Sequence, residues 1–136
     1  MSQENVELVR RCVMVIPRDM DDDAEEMLSY IDPEGELHSA IVGGAEANVY
    51  RGHDGFRRWV ADSFESFEEV RNEWSEFRDL DTRVLAFGHV KARGRGSGME
   101  LDAPMGWVFT ARGGKIVKAE GFLSRAEALE AAGLAE

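Results

Sequence analysis

Three histidines, His38, His53 and His89, are the side chains of this sequence whose ordinary pKa suits proton transfer near neutral pH. They lie far apart, and none has the H-x-H or H-x-x-x-H companion that lets two imidazoles on one strand or helix face hold a zinc ion. No metal site is predicted. Cys12 is the single cysteine, which excludes intrachain disulfides and thiolate clusters. The carboxylate-rich run from Asp19 to Glu26 lacks the alternating oxygen ligands and central glycine of a calcium loop. It reads instead as the start of a helix whose dipole favours negative charge. His38 therefore remains as either a general base at a cavity mouth or a hydrogen-bonded imidazole with a structural role. His53 reads as a helix-start cap, and His89, in line with Lys91 and Arg93, as outer-face material. The stretch "YRGHDGFRRW", residues 50–59, sets Tyr50 and Arg51 just ahead of an apolar stripe, where they can shape a pocket rim.

These groups must be held by the surrounding elements. Val6, Val9, Val13 and Ile16 recur at helical spacing up to Pro17, and Met27, Leu28 and Ile31 mark a shorter helix closed before Asp32-Pro33. Glu36-Leu-His-Ser reads as a brief strand, followed by a glycine-containing loop running to Tyr50. Phe56, Trp59, Val60, Ser63, Phe64 and Phe67 form the cleanest amphipathic stripe. Period-two patterning then covers residues 70–80, 83–94, 101–111 and 115–123, separated by Asp-Thr and glycine-rich turns, which predicts four consecutive antiparallel strands. A last helix starts at Ser124, with Glu127 in a capping box, and stops at Gly133.

The chain has 136 residues, 43% of them apolar and 32% charged, as expected of one globular domain spanning residues 1–136. A net charge of -11 repels phosphate backbones, so nucleic acid is not an expected partner. No apolar run approaches the roughly 18 residues of a membrane span, and the N-terminus has no signal-peptide pattern, so a cytoplasmic location is expected. Helices followed by a long meander imply an α+β fold, with helices packed on the concave face of one strongly curved, mainly antiparallel sheet.

The phrases "SQENVELVRR", "DPEGELHSA", "YRGHDGFRRW", "RGRGSGMELDAP" and "GGKIVKAEGFLSRAEALEAAGL", taken in this order, resemble the SnoaL-like domains of the NTF2-like superfamily over nearly the whole chain. The resemblance implies a cone-shaped fold, a pocket between sheet and helices, frequent homodimers, and activities ranging from ketosteroid isomerases, polyketide cyclases and epoxide hydrolases to simple ligand binding. Residue by residue, it places His38 where the isomerases hold a general-base Asp. Met105 falls at their oxyanion-stabilising Asp, and Val15 near their tyrosine. Gly121 falls where cyclases and epoxide hydrolases hold an essential Asp.

The expected pocket is therefore apolar, with Tyr50, Phe56, Trp59, Val60, Ala103, Met105, Trp107, Phe109, Ala119 and Gly121 around it and His38 as its one titratable neighbour. A hydrophobic small molecule is the expected partner, and no cofactor is called for. The leading expectation is a small-molecule-binding protein. The alternatives are a His38-assisted isomerase, cyclase or hydrolase acting on a steroid-, polyketide- or terpenoid-like substrate, and a scaffold domain with a filled cone. Homodimerisation is expected through the outer sheet face at Leu85, Phe87 and His89.

Overall fold

The runs of alternating residues become long strands, and the stripes become helices that cover them. A computed structural model describes residues 2–19, 21–39 and 49–134. In chain order the elements are α1 (Ser2–Met14), α2 (Glu25–Leu28), β1 (Ile31–His38), β2 (Val49–Arg51), α3 (Gly52–Ser66), β3 (Phe67–Leu80), β4 (Arg83–Gly94), β5 (Glu100–Arg112), β6 (Lys115–Phe122) and α4 (Arg125–Ala131). The loop read over residues 43–48 lies outside the described residues.

The sheet has six strands in the order β2-β1-β6-β5-β4-β3. All its pairings are antiparallel except β1 with β6, so the sheet is mainly antiparallel. Two sequence expectations change here. The first strand begins at Ile31 rather than Glu36, running through Asp32-Pro33 with a register shift between Ile31 and Glu36. Residues 49–51 form a short edge strand where a loop was expected, because Val49 and Tyr50 pair with His38 and Leu37.

The main core lies on the concave side. Val6, Val9 and Val13 of α1, Met27 and Leu28 of α2, and Phe56 of α3 pack there against Val84, Ala86, Phe109 and Ile116 of the sheet. The helices thus cover one face of a curved, mainly antiparallel sheet, as the sequence predicts.

The last helix does not join the others. A second cluster of Leu85, Phe87, Val108, Ala128, Leu129 and Ala132 places α4 on the convex face. Gly106 permits this approach, since a Cβ there would come within 2.5 Å of the Ala128 Cβ. Ser124 caps the helix by accepting from the Glu127 N–H at 3.2 Å, and Gly133 ends it at φ +79. Leu85 and Phe87 are consequently 0% and 4% exposed within a single chain. The structure corrects their assignment to a dimer surface, because α4 already covers them. His89 remains exposed, 3.2 Å from Asp102.

Candidate functional site

The concave face carries two adjoining, partly open chambers. The outer one, of about 60 Å³, runs from Trp59, Val60 and Phe64 of α3 across Met105 and Trp107 to Leu123. The inner one, of about 30 Å³, lies among Cys12, Phe56, Trp74, Phe109 and Ala119. Ile16, Trp59, Asn72 and Trp107 line both. Trp59 and Trp107 meet edge to face with ring centroids 6.3 Å apart, and Trp107 stacks on Phe109 at 5.8 Å. These contacts follow from the sequence pattern. The helical spacing of Phe56, Trp59 and Val60 turns them onto the sheet, where the alternation of β5 presents Met105, Trp107 and Phe109.

Seven of the sequence-predicted pocket residues therefore line a chamber: Phe56, Trp59, Val60, Met105, Trp107, Phe109 and Ala119. Ala103 is half-buried on β5 and lines neither. Gly121 faces inward, but the Trp107 indole occupies the space above it.

Tyr50 is a core residue rather than part of a rim. It is 2% exposed, packs under the Gly55 turn of α3, and donates its hydroxyl to Asp62 at 2.8 Å. Burial first, and the Asp62 hydrogen bond second, push its phenol up to about 12. Arg51 beside it is exposed and ion-paired with Glu36 at 2.7 Å. Gly52 enters α3 at φ +70, a conformation that favours glycine. His53, expected from sequence to cap α3, does not do so. Its Nε2–H donates to the Ile31 carbonyl at 2.8 Å and ties α3 to β1.

His38 departs furthest from expectation. Leu37 points into the core at 2% exposure, so strand alternation turns His38 to the opposite face. There its Nε2 lies 3.2 Å from Glu36, and it stands across from Glu120 on β6. The His38 hydrogen bond first, with the Arg51 charge supporting it, holds the Glu36 carboxyl below its ordinary value. An imidazole placed here serves a surface ion cluster, and the sheet separates it from the chambers.

Ser39, one position on, is the residue of that strand end that reaches the outer chamber, and it is 4% exposed. The sequence reading passed over it because a register offset of one residue reverses which side chain faces in. Asn72 was missed as well. It is the polar member of the otherwise inward apolar positions Val70, Asn72 and Trp74 on β3, and that interruption was its signal.

Among the described residues, no carboxylate, imidazole, lysine or arginine lines either chamber. Cys12 is the titratable side chain that does, and burial pushes its thiol up to about 12, so it is neutral and a poor nucleophile. The described residues hold no group of His, Cys, Asp and Glu side chains suited to a metal ion. None of their helices is long and apolar enough to cross a membrane. The site can thus receive apolar surface and offer a few neutral hydrogen-bonding groups, and the described residues supply it with no acid–base pair.

Solved structures share this architecture. TerC, co-crystallised with polyporic acid, superposes with a TM-score of 0.74 at 22% identity, covering 93% of this chain and 96% of that one. A hypothetical protein with a ketosteroid isomerase-like fold from Catenulispora acidiphila, in complex with trimethylamine, gives 0.69 at 15% identity over 94% and 93%. A putative SnoaL-like polyketide cyclase from Jannaschia Sp. CCS1 gives 0.73 at 18% identity over 88% and 85%. No curated protein matches the chain. The family model of the SnoaL-like domain matches residues 20–119, and the chain belongs to that family.

Proposed function

We propose that this SnoaL-like protein binds an apolar small molecule inside its cone. The observation that carries the reading is the pair of adjoining chambers walled by Trp59, Trp107, Phe109 and Met105 with no charged side chain among the described residues. Proteins of the same fold that were crystallised with polyporic acid and with trimethylamine support small-molecule binding as its use. The enzymatic alternative is weaker. By the resemblance, Met105 and Gly121 fall where related enzymes hold carboxylates, and His38 is on the face of the sheet opposite Leu37. Isomerase, cyclase or hydrolase turnover by a paired acid and base is therefore expected at background.

A thermal-shift panel of steroids, terpenoids and aromatic polyketides tests the reading. A ligand at 100 times its Kd adds about 2.7 kcal/mol to the native state, which raises Tm by several degrees. A panel in which no compound raises Tm would contradict it.

The proposal includes a homodimer in the cytoplasm. What supports the dimer is the outer strip that α4 leaves uncovered, at His89, Asp102 and Pro104. A monomeric mass in solution at micromolar protein contradicts that part.

A further inference from the structure

Resting on the reading of the cone as a ligand pocket, we infer that Asn72 is its specificity-determining residue, and that the ligand is a neutral, planar aromatic molecule carrying a hydroxyl or carbonyl group.

The polar inventory of the chambers leads to Asn72. Ser63 already donates its hydroxyl to the Trp59 carbonyl at 2.8 Å. Ser39 is also engaged. Beside the donor-only indole N–H groups of Trp59 and Trp107, the half-buried Asn72 side-chain amide makes no hydrogen bond to another described residue. It offers both a donor and an acceptor to whatever enters.

Its position is as telling as its chemistry. Asn72 and Ile16 line both chambers and also a groove of about 440 Å³ between residues 13–18 and β3. A molecule entering from that groove passes between them.

Size and charge define the molecule. Neither chamber, at about 60 and 30 Å³, holds an aromatic ring alone; a cavity known to take benzene measures about 150 Å³. A ring is accommodated when the Trp59–Trp107 contact, which borders both chambers, opens and lets them join. It then lies against the indole and Phe109 faces, which favour a planar π-system. A charged group would be desolvated there without a counter-charge, at a cost no neutral amide offsets. The same aromatic walls could attract a cation, but no carboxylate among the described residues lines the chambers to hold one.

The test compares four probes on one ring system by tryptophan fluorescence titration: naphthalene, 1-naphthol, 1-naphthoate and (1-naphthylmethyl)trimethylammonium. The wild-type protein should bind naphthol about 3- to 10-fold more tightly than naphthalene, the range given by one neutral hydrogen bond. Neither charged probe should bind comparably. In Asn72→Leu the naphthol advantage should vanish while naphthalene binding persists, and Asn72→Ala provides the same comparison should the leucine variant not fold. Equal binding of naphthol and naphthalene by wild type, an advantage that survives in the variant, or a charged probe binding as tightly as naphthol overturns the role of Asn72 and leaves the apolar pocket standing. Failure of all four to bind removes the pocket reading, and this inference with it.

Discussion

Trp107 lies with its benzo ring where a side chain on Gly121 would stand: a Cβ added there would come within 2.7 Å of Cζ2 and 2.8 Å of Cη2. The absent side chain of β6 is thus replaced by an indole from β5, and the glycine sets how deeply Trp107 sits beneath Trp59. Gly121→Ala should lift Trp107 toward Trp59, destabilise the fold by about 1–3 kcal/mol through overpacking, and weaken binding of aromatic probes. Denaturant unfolding and fluorescence titration measure both effects. Unchanged stability and affinity would mean that the indole has room to move elsewhere.

His38 lies outside the cone, so His38→Ala should leave ligand affinity and any turnover unchanged. Losing its hydrogen bond to Glu36, at a site with about a third of the imidazole side chain exposed, should cost at most about 1 kcal/mol. Fluorescence titration of the variant checks this. A tenfold loss of affinity or turnover would restore His38 to the site.

Alkaline pH should destabilise the protein through two buried groups. The Cys12 thiol and the Tyr50 phenol both have folded pKa values raised to about 12, from ordinary values of 9.0 and 10.0. Each contribution is full below its unfolded value and is lost as pH rises toward the folded one, at about 1.4 kcal/mol per pH unit per group. Unfolding free energies measured between pH 8 and 11 should fall, on the order of these slopes, less steeply in Cys12→Val and in Tyr50→Phe than in wild type. Identical slopes in all three proteins would refute the assignment.

The seat of α4 depends on Gly106. In Gly106→Ala the new methyl group meets Ala128 at 2.5 Å and the Phe87 ring at 3.3 Å, so the helix must shift. The expected result is a loss of about 1–3 kcal/mol with increased binding of a hydrophobic dye as Leu85 and Phe87 become accessible. A variant as stable as wild type, with no added dye binding, would show that α4 adjusts freely.

The sequence made the elements legible wherever one period ran unbroken. The stripe of Phe56, Trp59 and Val60 located both α3 and its buried face, and the residue 83–94 run matched β4 from end to end. Parity was harder to read where the strands are irregular. On β3 a register shift between Trp74 and Glu76 lets Trp74 and Phe77, three apart, join the same core cluster. On β1 the shift between Ile31 and Glu36 lies just ahead of the His38/Ser39 choice, and strict counting by resemblance selected the wrong neighbour. The position of α4 was not legible, since its apolar stripe says that it must be buried but not against which face. Leu85 and Phe87 pointed to an apolar outer surface, and only the fold shows that the chain itself covers it.

Entry of an aromatic ligand between Trp59 and Trp107 is read from the indole N–H resonances of the three tryptophans. On titration of 15N-labelled protein with 1-naphthol, the Trp59 and Trp107 signals, assigned with Trp59→Phe and Trp107→Phe, should shift saturably, with a smaller shift of Trp74 at the inner chamber. Saturable binding that leaves the Trp59 and Trp107 indoles unmoved would contradict it.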